Sequence, residues 1–154
     1  MEFRVPRDSD WREVLSIANH SVAHVHGAGT QEEWLRNRRT FSARGDQTHF
    51  VVTEHDHLLG YGSLEREATS PTDEYRAFLV VYPDQLDTTG SAIYRRLEAL
   101  MGERQVARSW FVEYAQDIRF IEFIGARGYV EARRFMLASG AEAVVLSKDH
   151  RRTA

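Results

Sequence analysis

The 154-residue chain contains no cysteine, which excludes disulfides and thiolate-held metal centres. It also lacks a long hydrophobic run: Phe78–Tyr82 falls far short of the roughly 20 apolar residues a spanning helix needs, so no membrane segment is expected. Charge of one sign is missing as well. The formal net charge of -3 comes from interspersed residues, which leaves no electrostatic footprint for nucleic acid or an anionic membrane. Met1 to Arg7 carry no apolar signal-peptide run, so a cytoplasmic location is the expectation. Linkers, internal repeats and low-complexity tracts are absent too.

What is present suits one globular unit. An apolar content of 42% over this length supports a single core. Residues 1–148 read as one domain, and the charged, apolar-poor stretch 149–154 reads as a frayed tail.

Phe3-Arg4-Val5 alternates like a short strand, and Asp8 or Ser9 can cap a helix with Trp11, Val14, Leu15 and Ala18 at helical spacing. Thr30-Gln31-Glu32-Glu33 has capping-box form and opens a second helix expected to run to about Arg39. Phe50–Thr53 and Leu58–Leu64 are β-rich runs around the polar turn Glu54–His57, the pattern of a hairpin. Tyr75–Tyr82 is another apolar strand, stopped by Pro83. Ala92, Ile93, Leu97 and Leu100 mark a helix over 90–100, Ser109–Tyr114 a strand, and Ile118–Phe123 a short helix ending at Gly125 or Gly128. Tyr129-Val130, Phe135–Leu137 and Ala143–Leu146 close the chain as strands. The order β α α β β β α β α β β predicts an α/β (α+β) fold: a mixed, mostly antiparallel sheet of six to seven strands with about four helices. The edge of Ala143–Leu146 is expected to be exposed and able to pair across a homodimer.

Between the strand ending at Tyr82 and the next helix lies Pro83–Ala92, a loop rich in small residues. The first amides of a helix have no internal partner and sit at the positive end of its dipole, so phosphate placed there is held by hydrogen bonds and charge together. A Thr-capped helix after an ordinary loop fits the same residues.

The element order together with two motifs resembles the GNAT superfamily of N-acetyltransferases over nearly the full length. The family's loop pattern Gln/Arg-x-x-Gly-x-Gly/Ala is met by Gln85-Leu86-Asp87-Thr88-Thr89-Gly90, with Thr at the first Gly position. Its later pattern, Asn-x-x-Ala-x-x-Phe-Tyr-x-x-x-Gly-Phe, is echoed from Asp117 through Phe120, Phe123, Ile124 and Gly128 to Tyr129. The resemblance implies acetyl-CoA as co-substrate and a primary amine as acceptor. It implies that Leu79, Val80 and Val81 offer backbone to the pantetheine arm. Gln85, Leu86, Asp87, Thr88, Thr89, Gly90 and Ser91 would hold the pyrophosphate, while Asp117, Phe120 and Phe123 line the other side of a splay between two strands. Asp87 departs from this scheme, since a carboxylate repels a pyrophosphate, and Thr88 lacks the torsional freedom of Gly.

Acetyl transfer needs a base for the amine and an acid for the leaving thiolate. Glu74, eleven residues before Gln85, is the first candidate base and Glu113 the reserve. The family's general-acid Tyr position holds Ile124, which cannot donate; Tyr114, Tyr82 and Tyr129 are the candidate substitutes, Tyr114 first. A solvated strand-end Glu and buried core Tyr rings fit equally. His20 and His24 lie one helical turn apart without a matching carboxylate, so no metal site is assigned. The alternative reading is a non-catalytic acyl-CoA-binding or protein-interaction domain of the same fold.

Overall fold

The computed structural model describes residues 1–20, 36, 40, 47–66 and 73–151. Its strands are β1 (Glu2–Arg4), β2 (Thr48–Glu54), β3 (His57–Glu65), β4 (Glu74–Val81), β5 (Arg108–Tyr114), β6 (Val130–Met136) and β7 (Glu142–Asp149). Among the described residues the helices are α1 (Trp11–His20), α2 (Ser91–Glu103) and α3 (Ile118–Gly125). The strands form one sheet in the order β1-β2-β3-β4-β5-β7-β6. Every neighbouring pair is antiparallel except β4 and β5.

Alternation along the strands sorts side chains to two cores. Tyr75, Ala77, Leu79 and Val81 of β4 pack with Ile93, Leu97 and Phe123 on one face, whereas Phe78 and Val80 pack with Trp11, Val14 and Ile17 of α1 on the other. Strand β4 is therefore held on both faces, which fixes the element that leads into the Pro83 loop.

Two local features bring α2 close to the sheet. The β2–β3 hairpin turns through His55 and Asp56 at φ 51° and 63°, the left-handed pair of a two-residue turn whose twist matches the strands. Beyond it, a Cβ on Gly62 would lie 2.5 Å from the Phe50 ring and 2.9 Å from Ile93, and one on Gly60 would lie 2.8 Å from Ile93. These glycines let Ile93, in the first turn of α2, seat directly on β3.

One expectation meets the structure differently, and another falls outside the described residues. The helix expected over Thr30–Arg39 lies outside the described residues apart from Arg36. Strand β7 is paired on both sides, by β5 and by β6, so Ala143–Leu146 is interior and has no open edge for a dimer; β6 occupies the edge instead. The chain inserts its last strand between β5 and β6. Strand β7 ends at Asp149, and His150 donates its amide to Ala107 O at 2.7 Å.

Candidate active site

Parallel pairing of β4 with β5 covers only Glu74–Arg108, Tyr75–Ser109 and Arg76–Trp110. Both strands continue beyond it, β4 to Val81 and β5 to Tyr114, while β4 keeps β3 on its other side as far as Val81. Among the described residues, Ala77–Val81 thus have no ladder partner on the β5 side, and the sheet splits there. Leu79, Val80 and Val81 are buried in the two cores, so their side chains are committed to packing. What they offer to the split is backbone, whose donors and acceptors seek partners.

The open strand runs directly into the loop. Pro83–Gln85 form a 3-10 turn, Leu86–Gly90 a π-helical turn, and α2 follows without a break. A π turn bonds residue i to i+5, so the amides of its first residues have no carbonyl partner inside it. Leu86, Thr89 and Gly90 are buried, whereas Asp87 and Thr88 face solvent. The Thr88 hydroxyl folds back on Gln85 O at 3.3 Å, and Ser91 Oγ donates to Asp87 O at 2.8 Å. An open cleft of about 700 Å³ lies beside this loop, lined by Met1, Glu54, Leu59, Tyr82, Asp84, Gln85, Thr88 and Thr89.

Helix α3 follows β5 and approaches the same loop from the other side of the split. Asp117 caps it, with Oδ1 accepting from Phe120 N at 3.2 Å. Phe120 and Phe123 are buried, Phe120 edge-on to Phe111 with ring centroids 5.8 Å apart. Arg119, the second residue of the helix, reaches across to the loop after β4: its guanidinium donates to Pro83 O at 3.2 Å and to Asp87 Oδ2 at 3.4 Å.

The candidate proton carriers are not brought together. Glu74 opens β4, half-buried, 4.0 Å from Arg108, at the closed end of the split. Tyr114 ends β5 at the open end. Six residues separate Arg108 from Tyr114, roughly 20 Å at strand rise, so the two groups do not flank one reacting atom. Ile124 is fully buried in the core.

Glu113 stands out against this. It lies three residues past the last β4–β5 pair and is only 2% exposed. Burial pushes its carboxyl well above the ordinary range, the negative Asp117 pushes the same way, and Arg76 partly offsets them. Sequence parity carried the signal: Ser109, Phe111 and Glu113 alternate on one face of β5, so a core Phe111 implies a buried Glu113.

A second polar cluster lies at the closed end. Ser109 Oγ is 2.6 Å from Tyr129 Oη and 2.7 Å from His150 Nε2. Burial raises the Tyr94 hydroxyl to about 12 and raises Tyr129 further, and it lowers His150. These residues tie β5 to α2 and to the segment just past β7.

No family model matches the sequence, and no curated protein matches it. Solved structures share its fold over nearly the whole chain. The ribosomal-protein-alanine N-acetyltransferase of Brucella melitensis is 16% identical, with a TM-score of 0.72, covering 97% of this chain and 99% of that one. The GCN5-related N-acetyltransferase of Kribbella flavida is 14% identical, TM-score 0.75, at 96% of each chain. The yncA protein of Salmonella typhimurium, whose structure holds its cofactor acetyl-CoA, is 14% identical, TM-score 0.76, at 100% and 96%. The chain therefore has the GNAT fold, as its element order and motifs suggested.

Proposed function

We propose that this chain is an acyl-CoA-dependent N-acyltransferase that moves an acetyl group from acetyl-CoA to a primary amine. The observation that carries this reading is the backbone edge of Ala77–Val81, open toward β5 and continuous with the helix N-terminus at Leu86–Ser91. The amide-bearing pantetheine arm can add to such an edge as a strand does. A diphosphate then meets the helix amides and the positive end of the dipole. The acceptor amine gives up a proton, its nitrogen bonds to the acyl carbon as the C–S bond breaks, and the thiolate is protonated.

Two carboxyls compete for the amine proton. Glu74 sits 4.0 Å from Arg108 and is reachable from solvent. Glu113 is buried and its carboxyl is raised well above the ordinary range, the direction that makes a carboxylate a better acceptor of the amine proton. Tyr114 is the candidate donor to the thiolate. Thiol release followed across a panel of primary amines tests the activity. Glu74→Gln and Glu113→Gln decide the base, whose loss should cost roughly 10²–10⁴-fold in kcat/KM. With Glu113 as base, the rising limb of the pH profile lies above the ordinary carboxylate range, and a limb within that range would rule Glu113 out.

A second reading, donor binding without turnover, is favoured by Ile124, a buried hydrocarbon where the resembling family carries its acid, and by the distance between Glu74 and Tyr114. Tight acetyl-CoA binding with no thiol release from any amine would select it.

A further inference from the structure

Asp87 is a carboxylate that the loop presents to solvent beside the proposed diphosphate position, and it pairs with the guanidinium of Arg119. The two belong to opposite sides of the split. Asp87 is on the loop that continues β4, Arg119 on the helix that follows β5. The guanidinium therefore spans the mouth between the diverging strands, anchored on one side by the Pro83 carbonyl.

Arg127, in the turn just after the same helix, shows what a structural arginine looks like here. Its guanidinium lies 3.6 Å over the Phe123 ring and donates to Phe123 O at 2.8 Å and to Ser91 Oγ at 3.1 Å. Arg119 is held less firmly. Its side chain is 58% exposed, Asp87 is 78% exposed, and their contact is a single long 3.4 Å approach. Such a surface pair is weak, since water screens it and two long side chains must be held still. A diphosphate in the same place offers more charge and several acceptor oxygens arranged for the guanidinium fork.

Resting on the donor-binding reading above, we propose that Arg119 is an exchangeable anion ligand of this site. It pairs with Asp87 in the structure and transfers to the diphosphate of a bound acyl-CoA, with Asp87 as its competitor. Arg119 thereby compensates for a carboxylate that would otherwise repel the donor, and its movement opens the mouth of the split as the donor enters. The ligand class follows from the charge: donors carrying a diphosphate are selected over pantetheine thioesters that lack one.

Calorimetric titration of the wild type, Arg119→Gln and Asp87→Asn with acetyl-CoA, and with ADP as a diphosphate lacking the arm, tests this. Exchange predicts opposite signs. Arg119→Gln should weaken both ligands by about tenfold, the loss of one charged hydrogen-bonding partner. Asp87→Asn should tighten both several-fold, and Arg119→Gln should flatten the salt dependence of the affinity. Weakening by both variants would mean the pair is only a brace and would overturn the proposal, as would an unchanged affinity in Arg119→Gln. If the wild type binds neither probe, donor binding itself is wrong. Both side chains are exposed, so melting temperatures should stay near the wild-type value and any affinity change reports on the ligand.

Discussion

Replacing Glu113 by Gln should remove a pH-dependent penalty on stability, and the sign follows from its surroundings. The carboxyl is raised in the folded protein, chiefly by burial and then by Asp117. Between the unfolded value, about 4.3, and the higher folded value, the native state holds a proton that the unfolded state has lost. Native stability therefore falls as pH rises through that window, by at most about 1.4 kcal/mol per pH unit. Below the window Glu113 is neutral in both states and Gln is nearly its isostere, so wild type and variant should differ little. Above it the variant should be the more stable, by an amount that grows across the window and then levels. Urea unfolding of both proteins at half-unit steps from pH 4 to pH 8, compared as differences, isolates the one group from all others that titrate. A difference independent of pH, or one of opposite slope, would refute the claim that Glu113 is a raised, buried carboxyl.

Three further outcomes follow from the packing and the site. Asp10, bound by Arg4 at 2.7 and 3.0 Å and by the Arg7 amide at 2.6 Å, has a depressed carboxyl. Asp10→Asn should cost about 1–3 kcal/mol at pH 7, and the cost should shrink in acid as pH falls through the ordinary carboxylate value toward the lower folded one. Gly62→Ala drives a methyl into Phe50 and Ile93 and should lower stability by about 1–3 kcal/mol in chemical denaturation. Acetyl-CoA at 100 times its Kd should add about 2.7 kcal/mol, which differential scanning fluorimetry would register as a higher Tm; no shift at millimolar ligand would leave only an interaction domain.

Much of this architecture is legible in the residues because local periodicity specifies it. Trp11, Val14 and Ala18 mark α1, and the run Phe50–Thr53, polar turn and Leu58–Leu64 mark the hairpin. The split is another matter. Nothing in Tyr75–Tyr82 or Ser109–Tyr114 says that their pairing stops at Arg76 and Trp110, because strand partnership is settled by what packs on both faces. The insertion of β7 between β5 and β6 was hidden for the same reason. In the site, the small-residue loop was visible, but its π-helical form depends on Leu86, Thr89 and Gly90 being buried together. Asp87 read as a flaw in the loop; Arg119, 32 residues away, is the neighbour that changes its meaning.

The central claim is that a donor lies along the open edge of β4 with its diphosphate on the turn before α2. Backbone hydrogen exchange measured with and without saturating acetyl-CoA tests it at single segments. The account predicts slowed exchange in Ala77–Val81 and in Asp87–Ser91, with β2 and β6 unchanged. Saturation of the protein with no added protection in Ala77–Val81 would contradict it.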